Sequence, residues 1–86
     1  MFSLRVRDRV MELMRIKHEL LMEELEKRGV FDMPRNTIAE KCERAAEAFK
    51  AYIEAEKRWK KIVAKEPFEV KVELARLMMS LQSLVR

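Results

Sequence analysis

The sequence predicts an all-α protein: a three-helix antiparallel bundle with a long central helix, working as an oligomer. Three observations predict it. Apolar residues recur at steps of three and four along most of the chain. The strongest breaks, Gly29, Pro34 and Pro67, leave three helix-length segments. The apolar stripes on those segments are too generous for one copy to cover by itself.

Helix one is predicted from about residue 3 to 28. Ser3 can cap its first turn by accepting free backbone N–H groups. Gly29 is its natural stop, because glycine enters the left-handed conformation without steric cost. Lys27 and Arg28 sit where the helix dipole favours cations. One stripe is Val6, Val10, Leu13 and Leu20, and a second is Leu4, Met11, Met14, Leu21, Met22 and Leu25. A helical hairpin partner covers one of these; the other calls for a further helix or another subunit.

Helix two is predicted from about 37 to 65. Pro34 pushes Met33 out of helical geometry, and Thr37-Ile38-Ala39-Glu40 reads as a capping box. The predicted seam is Ile38, Cys42, Ala45, Phe49, Tyr52, Glu56, Trp59 and Val63, in alternating steps of four and three. Cys42 is expected to be a buried small hydrophobe, and Ala45, Ala46, Ala48 and Ala51 to allow close helix approach. Glu56 interrupts the seam and is expected to pair with a basic residue, since an unpaired buried carboxylate is costly. Helix three, about 67 to 84, starts at Pro67, where the missing N–H costs nothing. Its stripe is Val70, Leu74, Leu77, Met78, Leu81, Leu84 and Val85.

Eighty-six residues make a single domain, and one this small needs staples, a metal, regular helices or association to be stable. The lone cysteine excludes a disulfide within the chain and fits a reducing compartment. No apolar run reaches the roughly 20 residues that span a bilayer. The Arg-rich start has no apolar segment of a secretory signal. The expected location is the cytoplasm, away from any membrane.

Catalytic, metal-binding and cofactor-binding patterns are missing. His18 is the only histidine and has no His-Glu-x-x-His context, so a surface or seam role is expected. Cys42 has no adjacent base, and there is no Gly-rich phosphate loop. An all-helical chorismate mutase has similar length, but its arrangement of Arg, Asp and Arg on helix one is not reproduced. The sequence is therefore not expected to encode an enzyme.

The net charge of +4 favours polyanionic partners. The candidate DNA-binding residues are Lys57, Arg58, Lys60, Lys61 and Lys65, with Arg5 and Arg9 on a shared face of helix one. Positions 57, 61 and 65 step by four and form a ridge suited to phosphates. The alternative is a solvated face balanced by Glu54, Glu56 and Glu66. Candidate oligomer-interface residues are Met11, Met14, Leu21, Met22, Phe49, Tyr52 and Trp59. For Trp59, packing in a core or an interface is preferred over stacking on a base.

From Glu19 onward, about three quarters of the chain resembles the core of the phage terminase small subunit family. The resemblance begins with a helix ending in Glu24-Leu25-Glu26-Lys27-Arg28-Gly29-Val30. A long helix with Ala39, Cys42, Ala45, Ala46, Ala48, Phe49, Tyr52 and Ala55 follows, and after a proline a last helix with Leu74, Met78, Leu81 and Leu84. Asn36-Thr37 stands where the family carries an aspartate, and no helix-turn-helix precedes the core. The resemblance implies a ring-forming, non-catalytic DNA-packaging factor that binds double-stranded viral DNA and regulates a large terminase subunit. It transfers no DNA-contact residue. The alternative function is a helical adaptor, such as an antitoxin-like dimer, whose Met-rich face on helix one adapts to a protein partner.

Overall fold

A computed structural model describes the backbone of residues 4–85 and the side chains of residues 5–83. Ser3, the expected first cap, and the side chains of Leu4, Leu84 and Val85 lie outside these. The described residues form three α-helices, α1 (Leu4–Lys27), α2 (Ile38–Ala64) and α3 (Phe68–Val85), with a 3-10 turn at Val30–Asp32 and no strand.

The breaks follow local chemistry. Gly29 takes φ 68°, the left-handed conformation that ends α1. Thr37 and Glu40 form the reciprocal capping box: the Glu40 amide donates to Thr37 Oγ1 at 3.1 Å, and the Thr37 amide donates to Glu40 Oε1 at 3.0 Å. Pro67 precedes α3, and its carbonyl accepts from the amides of Val70 and Lys71.

Helix α1 is the hub, in contact with both α2 and α3. Its stripe Val6, Val10, Leu13 and Leu20 is buried together with Ala55 and Trp59 of α2 and Val70 and Leu74 of α3. Leu13 has no exposed surface at all. Trp59 is 3% exposed, and its indole N–H donates to the Leu13 carbonyl at 2.8 Å. Each such buried aromatic or leucine stabilises by roughly 2–3 kcal/mol through removal of apolar area from water.

The α1–α2 pair is antiparallel. Pairings run from Arg9–Glu66 through Leu13–Trp59 and Lys17–Glu56 to Arg28–Glu47. In this register α1 ends at Lys27, opposite about Glu47, so residues 38–46 of α2 project beyond it. The turn at Val30–Asp32 packs against that projection, with Arg44 Nε donating to the Val30 carbonyl at 3.0 Å.

The core face of α2 differs from the predicted seam. The buried residues are Ala51, Ala55 and Trp59, while Ile38 is 82% exposed and Phe49 63%. Tyr52 and Cys42 are also exposed, so Cys42 is not the buried hydrophobe expected. The reason is packing distance. The alanine face lets α1 approach closely and leaves room for one large plug, Trp59, whereas the bulkier Phe49–Tyr52 face turns outward. Glu56 behaves as expected: its carboxylate lies 3.7 Å from the Lys17 ammonium.

The Cα envelope measures 52 × 29 × 17 Å with a radius of gyration of 16.0 Å. A compact chain of this length would have about 12 Å. The molecule is a flat, elongated slab with exposed apolar side chains on more than one side.

Candidate nucleic-acid interface

At about 100° per residue, the outward face of α2 changes character along its length. Its first half, residues 38–53, carries Ile38, Cys42, Phe49, Tyr52 and Ile53, all exposed. Its second half carries Lys57, Lys60, Lys61 and Lys65, all exposed and with no ion pair among the described residues. A shallow groove lined by Tyr52, Ile53, Glu56, Lys57 and Lys60 marks the junction. Lys57, Lys61 and Lys65 span about 12 Å of one side of the rod. The rigid α1–α2 pairing holds them there.

The arginine candidates are placed differently. Arg9 grips Glu66 in a two-point contact, Nε to Oε1 at 2.7 Å and an Nη to Oε2 at 2.8 Å. The Arg9 guanidinium holds the Glu66 carboxyl below its ordinary value, chiefly by donating this hydrogen bond, and Glu66 raises Arg9 in turn. Arg58 turns toward α1, 3.4 Å from Glu23 and 3.7 Å from Glu24. Both arginines are thus neutralised by carboxylates within the chain and work as struts between elements. Arg5 is exposed on the first turn of α1.

The Met-rich side of α1 is only partly open. Met11 and Met22 are exposed, whereas Met14 and Leu21 are half-buried against the core. Trp59 is packed inside the chain and cannot face a second copy or a base. It carries the Lys17 ammonium 4.6 Å from its ring centroid, an interaction that the spacing of residues did not reveal. Lys17 sits one turn from Leu13 and Leu20 on the inner stripe, which was the available signal. Glu24, 4% exposed, was likewise missed; it is held by Arg28 of the next turn and by Arg58.

Comparison with known proteins finds no matching family model, no similar curated protein and no similar solved structure. The chemistry of the surface therefore has to carry the functional reading. Among the described residues no three His, Cys, Asp or Glu side chains gather as a metal site, and no helix is long and apolar enough to cross a membrane. What the outward face of α2 offers is an apolar half suited to another protein surface and a cationic half suited to anions.

Proposed function

We propose that the protein is a non-catalytic, self-associating helical protein that binds double-stranded DNA through the lysine ridge of α2. The fuller form of this reading is a terminase small-subunit-like packaging factor, acting in a host cell's cytoplasm beside a large terminase subunit. One observation carries it. Lys57, Lys60, Lys61 and Lys65 stand exposed on one side of a long helix with no ion pair among the described residues, while Arg9 and Arg58 are held by internal carboxylates. Four exposed ammonium groups at fixed spacing suit a phosphate backbone, where displaced counterions supply the binding free energy.

The test is duplex binding across a salt series. Wild-type protein binds at low salt and weakens steeply as salt rises. Lys57→Gln/Lys61→Gln/Lys65→Gln weakens binding and flattens the plot of log affinity against log salt by about 0.9 for each phosphate no longer neutralised. Absence of binding at about 50 mM salt, or an unchanged slope in the triple variant, refutes the proposal. The exposed Phe49, Tyr52 and Ile53 favour a second reading, a protein-binding adaptor indifferent to DNA. A stable complex with a specific protein, together with a flat response to duplex, decides for it.

A further inference from the structure

We infer that the end of the α1–α2 hairpin binds the phosphoryl group of a small phosphate monoester, between Arg35, Lys41 and Arg44 and over a floor of Ala45 and Ala48. These five side chains line one open concavity of about 280 Å³, and no carboxylate is among them. The volume lies below the roughly 300–1,000 Å³ of pockets that enclose a drug-sized ligand, so the site suits a small anionic group.

The concavity arises where α1 stops. At about 100° per residue, Lys41, Arg44, Ala45 and Ala48 lie on the same side of α2 as the buried Ala51, Ala55 and Trp59. Alongside α1 that side is apolar. Beyond Lys27, where α1 ends, it keeps its small residues but carries two cations, and Arg35 joins them from the link ahead of Thr37.

The chain supplies these cations with no counter-charge. Arg35, Lys41 and Arg44 have no ion pair among the described residues. Lys41 has no acidic residue three or four positions away on its own helix. Arg44 has two, and both are committed elsewhere. Glu40 accepts from the Thr37 amide at 3.0 Å, and Glu47 is held by Arg28 and Lys50, each at 3.3 Å. Arg44 itself is half-buried, and its Nε donates to the Val30 carbonyl at 3.0 Å. That bond fixes the plane of the guanidinium and leaves its Nη donors without a partner among the described residues.

Three cations select the ligand chemistry. A phosphate monoester brings close to two negative charges at neutral pH and three strong acceptor oxygens. A carboxylate brings one charge and two oxygens. The planar arginine fork also matches phosphate geometry. The alanine methyls offer an apolar surface to the carbon carrier beside the ester oxygen. The site is separate from the ridge of Lys57, Lys61 and Lys65. Its centre lies about 25 Å along α2 from the centre of that ridge and about 150° around the helix.

Amide NMR of the labelled protein at low salt, titrated with phenyl phosphate, inorganic phosphate or benzoate, tests the site. Phenyl phosphate should shift the Ala45 and Ala48 amides saturably, binding more tightly than inorganic phosphate and about tenfold more tightly than benzoate. Arg35→Gln/Lys41→Gln removes two exposed charges and should weaken phenyl phosphate about tenfold or more at unchanged helicity. Arg44→Lys keeps the charge but loses the fork, and should also weaken it. Lys57→Gln/Lys61→Gln/Lys65→Gln should leave this affinity unchanged, so failure of the site and failure of the lysine ridge are read separately. No saturable shift at Ala45 and Ala48 by about 10 mM phenyl phosphate overturns the inference. So does full affinity in Arg35→Gln/Lys41→Gln, benzoate or inorganic phosphate bound as tightly as the ester, or shifts centred on the lysine ridge. Displacement of a bound duplex by phenyl phosphate would make the concavity part of a nucleic-acid path and likewise overturns a separate site for a small ester.

Discussion

Trp59 joins three interactions that no smaller residue can reproduce together: burial against the Val6–Leu20 stripe, a hydrogen bond to the Leu13 carbonyl, and a face for the Lys17 ammonium. Substitution separates them. Trp59→Ala is expected to cost about 3–5 kcal/mol, because the void lies between close-packed helices that cannot collapse fully. Trp59→Phe keeps an aromatic plug and removes the N–H donor. Leu13 keeps its intrahelical partner, so the cost is nearer 1–2 kcal/mol. Chemical denaturation followed by circular dichroism measures both; a Trp59→Ala cost under about 1 kcal/mol would remove Trp59 from the core.

At the scale of elements, the helix ends were legible in the sequence because capping is local chemistry. Gly29 and the Thr37–Glu40 box act through their own backbone neighbours, so four residues suffice to read them. The inner stripe of α1 was legible for a similar reason, since Val6, Val10, Leu13 and Leu20 repeat a helical spacing. The inner face of α2 was not. That helix has two apolar faces, and hydrophobicity favours the one with Ile38, Phe49 and Tyr52. Close approach selects the one with Ala51 and Ala55. The candidate site was legible as a set of lysines. That Arg9 and Arg58 would be spent on Glu66, Glu23 and Glu24 depends on the α1–α2 register, which spacing within one helix does not encode. The overhang also sets how removal of a cap would show itself. Thr37→Ala should cost the first turn about 1 kcal/mol, but residues 38–46 have little tertiary packing. The change should show as amide exchange about fivefold faster near Cys42 rather than as a large fall in melting temperature. A fall in melting temperature without faster exchange would contradict this picture.

Across the whole molecule, the link between α2 and α3 is tied back to α1 by one well-formed pair, Arg9–Glu66. Glu66 is held below its ordinary value of 4.5 in the folded chain. A depressed carboxylate contributes stability that is complete above its unfolded value and is lost as pH falls through its folded value. Stability should therefore be level near neutrality and decline below about pH 4.5. In Glu66→Gln that part of the acid decline should be missing and the neutral-pH plateau lower. Denaturation midpoints at a series of pH values test it; a variant that follows the wild-type acid limb would show that the pair contributes nothing.

The single tryptophan and the single tyrosine lie about two turns apart on α2, the first 3% exposed and the second 46%. The protein thus carries two optical reporters on one rod. The sequestered indole should emit at short wavelength and resist a dissolved quencher until the hairpin opens. The phenol should report by its ultraviolet absorption on whatever comes to lie against the outer side. Folding and assembly can then be followed separately in one unlabelled sample.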